Sequence, residues 1–251
     1  MGGSYRTRAG IRSGWQVVSP INDLGQPIGP PVDWEPALLP PRTLIEGRFC
    51  RIEPLDPDRH AAELHAANLL DDSGRMWTYM PYGPFATSDE YQTWCRQMAV
   101  RDDPFFYAVI DADSNRAAGV ASYLRIEAAS GVIEVGHIAY SPALQQTTAA
   151  TEAMYLMMSR AFDELGYRRY EWKCDALNDA SRQAADRLGF AFEGIFRQAT
   201  MYKGRNRDTA WYSITDADWA RVRAGYEAWL DPSNHDAEGI QRQSLGEVLA
   251  S

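Results

Sequence analysis

Val132-Ile133-Glu134-Val135-Gly136-His137-Ile138-Ala139-Tyr140 reads as a strand, rich in β-branched residues, with one acid set among Val132, Ile133 and Val135. Ser141-Pro142 breaks it. A helix starting near Gln146 follows, because apolar residues recur three and four apart at Ala150, Ala153, Met154, Met157, Met158, Ala161, Phe162 and Leu165, with Gly166 as the stop. Strand, short turn and long helix together set free backbone N–H groups and a positive helix end at a strand's carboxyl edge. Such a corner attracts phosphate.

Outward from this unit, strand and helix signals alternate. Residues 105–110 and 117–126 are β-rich and, with 132–140, are separated by Asp-Ser-Asn and Ala-Ser-Gly turn chemistry, which predicts antiparallel hairpins. Upstream, 48–53 reads as a strand, and 57–70 and 88–100 as helices. Downstream come a strand at 170–174, a helix at 180–188 closed by Gly189, and strands at 190–198 and 208–215. The class is mixed α/β, with a mostly antiparallel sheet of about seven strands flanked by helices.

Residues 1–41 hold seven of the 14 prolines with little apolar periodicity, and read as an extended, Pro-rich arm with a basic tip at Arg6, Arg8 and Arg12. Such an arm can wrap a partner subunit or simply be disordered, so a homodimer is one expectation. The domain proper is placed at 42–230, and 231–251 reads as a polar, loosely attached tail. Among 251 residues, 45% are apolar and 24% charged, which excludes disordered and fibrous classes. No apolar run reaches the ~20 residues of a membrane span, and no secretory leader is visible. The three cysteines lie far apart without metal or redox spacing, so a reduced, cytoplasmic protein without a metal is expected. A net charge of −9 argues against nucleic acid as a partner.

The strand and turn at 132–150, Thr151-Glu152-Ala153, Asn178 with Ser181, Leu188-Gly189-Phe190 and Glu193-Gly194 together resemble the GNAT N-acetyltransferases, in particular the branch with the ribosomal-protein N-terminal acetyltransferases. The resemblance covers roughly 43–215. It implies acetyl-CoA as co-substrate, a primary amine on a peptide or small molecule as acceptor, and direct transfer. A family turn of Arg or Gln, two residues, Gly, one residue, then Gly or Ala falls on Gln145, Thr148 and Ala150; Thr148 stands where the family has Gly, and Gln146 where it often has another. The lost glycines keep open a different class, a non-catalytic acyl-CoA sensor or scaffold. Cofactor contacts implied by the resemblance are Ile138, Tyr140, Gln145, Gln146, Thr147, Thr148, Ala149, Ala150 and Asn178.

Glu134, partly desolvated on a central strand, has the character of a general base, the role the resemblance also gives it; a strand carboxylate that reaches solvent or pairs with an Arg is the competing reading. His137 is the other candidate base, but alternation points it to the opposite face unless a bulge intervenes, and a satisfied structural histidine is the favoured reading. Ser181 shares an inward stripe with Ala184, Ala185 and Leu188, and by resemblance protonates the departing thiolate. Asn178 sits where a helix cap belongs. Trp77, Tyr79, Tyr82 and Phe85 crowd one connection; such clusters are commonly core, while the resemblance makes them walls of the acceptor pocket, with the 197–208 hairpin opposite.

Overall fold

The computed structural model describes residues 20–236 and 240–250. Its contacts divide the chain at Glu35/Pro36 into two units. In the first, Asn22 organises a turn, closed by a bridge between Ile21 and Pro27. The expected arm boundary at 41 therefore moves: Ala37 is buried, its amide donates to the Ala128 carbonyl, and that of Leu38 to Leu165. Residues 1–19 of the expected arm lie outside the described residues.

Among its described residues the second unit holds one sheet of eight strands: β1 (Ile45–Glu46), β2 (Cys50–Pro54), β3 (Phe105–Asp111), β4 (Arg116–Glu127), β5 (Val132–Tyr140), β6 (Arg169–Asp175), β7 (Ala191–Tyr202) and β8 (Arg205–Thr215). Their order is β1-β2-β3-β4-β5-β6-β8-β7, parallel only between β5 and β6. The strand not foreseen is the two-residue β1. Beyond the expected ends, β7 and β8 run on to a tight turn at Lys203-Gly204, both at positive φ.

Helices α1 (Pro57–Asn68) and α2 (Ser88–Ala99) cover one face. Asp56 caps α1 by accepting the amides of Asp58 and Arg59, with Pro57 in the first turn, and Thr87 caps α2. Leu64, Tyr91 and Trp94 pack there on Phe106, Val120 and Ala139. Each large apolar side chain buried in this way contributes about 1.5–3 kcal/mol. The other face carries α3 (Thr148–Ser159), α4 (Asp179–Arg187) and α5 (Asp216–Leu230). Tyr123 of β4 donates to the Met157 carbonyl of α3 at 2.6 Å, and Trp219 of α5 stacks on Phe162.

Inside α3, the buried Glu152 accepts the amides of Arg48, Phe49 and Cys50 at 3.0, 2.6 and 2.9 Å, fixing the start of β2. The tail is not loose. A sixth helix, α6 (Leu245–Ala250), docks on α5, with Leu245 only 2% exposed. Gly225 permits this approach, since a Cβ there would lie 2.5 Å from a Leu249 methyl.

Candidate active site

Pairing between β5 and β6 starts at Val132 and Arg169 and stops at Val135 and Trp172. Beyond that point β5 follows β4 to Tyr140, while β6 follows β8 to Asp175, so the strands part. A bulge accompanies the parting: between the pairs Ser122/Gly136 and Val120/Ala139, three steps of β5 match two of β4. Ile138 and Tyr140 then border the opening with no partner on β6.

The following turn folds by its own hydrogen bonds. The Gln145 amide donates to the Ser141 carbonyl, and its side chain to the Tyr140 carbonyl at 2.7 Å. Gln146 adopts φ 61°, a left-handed conformation that glycine takes without strain. Thr147 caps α3 by accepting the Ala150 amide at 3.1 Å. The amides of Thr148 and Ala149 begin the helix and have no carbonyl one turn behind them. The turn and the start of α3 thus meet at one corner, where the amides of Thr148 and Ala149 and a positive helix end can receive an anion.

On the far side of the opening, Asn178 caps α4 by accepting the Ser181 amide at 3.2 Å, as its position in the sequence suggests. The Ser181 hydroxyl accepts the Trp172 indole N–H at 3.0 Å and lies beside the Cys174 thiol, whose pKa is raised mainly by burial. Ser181 also hydrogen-bonds the Cys174 sulfur, which partly offsets the effect of burial on that thiol.

The sheet face shared with α1 and α2 carries the charged groups. Glu134, 3% exposed, accepts Arg125 Nη1 at 2.5 Å and Lys173 Nζ at 3.0 Å on Oε2. Its Oε1 has no partner among the described residues and lies over Gly136, where β5 and β6 separate. Lys173 also meets Glu171 and sits 3.8 Å from the Trp211 ring centre. Arg169 links Glu171 to Glu193. The ion-pair reading of Glu134 therefore holds for one of its oxygens.

His137 departs from the alternation argument. The bulge, with φ 50° at His137, turns its ring onto the same face as Glu134, against Tyr82 at 5.6 Å and Phe106 at 5.1 Å. Burial, and then the charges of Arg125, Arg207 and Arg101, push its pKa down to about 4. The ring is thus neutral at physiological pH.

Of the four aromatic candidates, Trp77 and Phe85 interlock with Tyr91 and Trp94 as core. Tyr82 reaches the His137 ring, and Tyr79 donates to the Leu177 carbonyl across the opening. From the opposite side, the β7–β8 hairpin closes in, Lys203 donating to the Trp77 carbonyl and Tyr202 to Asp175. Among the described residues no cluster of His, Cys, Asp and Glu could hold a metal, and no helix is long and apolar enough to cross a membrane.

A sheet opened between two parallel strands, with a helix start at the gap, defines the acetyltransferase class of fold. Residues 50–191 match the acetyltransferase (GNAT) domain family. A GCN5-related N-acetyltransferase from Brucella melitensis is 46% identical, with a TM-score of 0.85 over 87% of this chain and 99% of that one. A probable acetyltransferase of the GNAT family from Chromobacterium violaceum is 43% identical, with a TM-score of 0.71 over 78% and 99%. The fold extends to an acetyltransferase of Salmonella typhimurium that modifies the N-terminal serine of ribosomal protein L7/L12, at 20% identity and TM-score 0.59, over 69% and 99%. No curated protein matches. The chain belongs to the GNAT acetyltransferase family, which uses acetyl-CoA.

Sequence reasoning did not single out Arg125, Lys173, Arg207 and Trp211. A signal was present: Arg169, Glu171, Lys173 and Asp175 alternate with Tyr170, Trp172 and Cys174, the pattern of a strand with one charged face.

Proposed function

We propose that the protein transfers the acetyl group of acetyl-CoA directly to a primary amine, on a small molecule or a peptide N-terminus, with no covalent enzyme intermediate. One observation carries the reading: β5 and β6 part beside Glu134 Oε1, an acceptor without a partner among the described residues. Acetyl-CoA, when bound, supplies the acetyl thioester. The amides of Thr148 and Ala149 hold its pyrophosphate, Ile138 and Tyr140 line its path, and Asn178 lies along its arm. Tyr79 and Tyr82 wall the acceptor side. An α-amine has a reference pKa of about 7.7–8.0 and a lysine amine about 10.4, so the acceptor arrives largely protonated at neutral pH. Glu134 Oε1 receives that proton, directly or through water, and Ser181 offers its own to the departing sulfur.

The test is a panel of amines with acetyl-CoA, read by release of free thiol. Glu134→Gln should lower the rate at neutral pH by about 10²–10⁴-fold and leave coenzyme A affinity intact. The loss should shrink as pH rises toward the amine's pKa. A loss constant over pH 6–9 assigns Glu134 a binding or structural role, and wild-type rates remove it from the chemistry. Binding of coenzyme A with no amine turned over identifies a silent sensor.

A further inference from the structure

The floor of the acceptor side has its negative groups nearly all engaged. Glu134 Oε2 holds Arg125 and Lys173, and Glu171 holds Lys173 and Arg169. Asp175 accepts the Leu177 amide and the Tyr202 hydroxyl, and Glu193 accepts Arg169 and the Ser213 hydroxyl. The position that would best receive a substrate cation, between Glu134 and Glu171 and over the Trp211 ring, is already filled by Lys173 Nζ.

The uncommitted groups are donors. Arg207 Nε, Trp211 Nε1 and the Tyr82 hydroxyl are buried atoms without a hydrogen-bond partner among the described residues. Alternation along β8 sets Arg207 on the face of Thr209 and Trp211, which pair with Asp175 and Lys173. Arg207 has no ion pair among the described residues, yet its charge reaches both His137 and Tyr202. Arg125, Arg207 and Arg101 act on His137 together with Asp103, which accepts the amides of Arg125 and Ile126, and of these cations Arg125 is paired with Glu134. A buried donor left unpaired is costly, and a guanidinium fork matches a carboxylate.

We infer that the acceptor is an amine that also carries a carboxylate, a free amino acid or a close relative, and that Arg207 binds this carboxylate. The inference rests on the acyl-transfer reading above.

The experiment compares the twenty free L-amino acids, their carboxamides, simple alkylamines, polyamines and phosphoethanolamine as acceptors with the full chain and acetyl-CoA. At least one amino acid should exceed its own amide by about 10²-fold in kcat/KM, as expected for a lost charge-assisted contact. Arg207→Gln should remove that preference by raising KM for the amino acid, with KM for acetyl-CoA within about twofold, the behaviour of a group that contacts only the acceptor. Arg207→Lys should retain part of the preference. The inference is overturned if amides, alkylamines or polyamines serve as well as the acids, if phosphoethanolamine surpasses every amino acid, or if Arg207→Gln keeps the preference or weakens only acetyl-CoA. Should Arg207→Gln not fold, the acid-to-amide ratio of the wild type and the Arg207→Lys variant decide. Turnover of a carboxylate-free amine alone refutes this inference and leaves acyl transfer standing; no turnover of any amine refutes both.

Discussion

Lowering the pH tests where the bulge places His137. Its pKa lies near 4 in the folded protein, against 6.5 for the free side chain, chiefly because burial among Tyr82 and Phe106 disfavours the charged ring. The folded pKa is the lower one, so the stabilising contribution is complete above pH 6.5 and is lost as pH falls toward 4. At 1.36 kcal/mol per pH unit, integration between pH 7 and 4.5 gives about 2 kcal/mol from this one side chain. His137→Asn removes the titrating group while tolerating the left-handed backbone, and every other titrating group, His60 and the carboxylates included, stays in both proteins. Urea denaturation of wild type and variant at the two pH values yields the difference of differences. Wild type should lose about 2 kcal/mol more than the variant over this range. Equal losses, or an NMR titration of His137 near 6.5, would place the ring in water and refute the orientation derived from the bulge.

Glu152→Ala leaves the Arg48, Phe49 and Cys50 amides unpaired and should destabilise by about 3–5 kcal/mol in urea denaturation; a change below about 1 kcal/mol would contradict its role as the anchor of β2. Gln146→Gly relieves the left-handed backbone at φ 61° and should stabilise by up to about 1 kcal/mol without loss of coenzyme A affinity; destabilisation would show that the side chain itself is needed. Gly225→Ala forces the Leu249 side chain away and should expose α6 to limited proteolysis; an unchanged cleavage pattern would mean that the tail docks without that contact.

The elements that fix the fold were legible because their signals are local. The 132–140 strand is observed at Val132–Tyr140, and the phosphate-type corner follows from a proline turn and a helical stripe that need no partner to be read. What was not legible depends on residues distant in the chain. Alternation assigns His137 to the wrong face, because a bulge is set by pairing, three residues of β5 against two of β4, and no residue type at 137 announces it. The tail was read as loose because Leu249 finds its slot at Gly225, in another helix.

Glu134 shows the same limit from the side of the chemistry. Its cations come from β4 at Arg125 and from β6 at Lys173; single-strand reasoning allows for pairing with an Arg but cannot say which one, and gives no sign of Lys173. Yet β6 carried the missing information. A strand between two neighbours buries its apolar residues on one face, here Tyr170, Trp172 and Cys174, and the charges opposite them cannot all reach bulk water. Such charges must find partners on the adjacent strands, which makes them the floor of a polar groove. Where that groove meets the free end of a strand–turn–helix corner, a donor without a partner, such as Arg207, is a statement about the substrate rather than about the fold.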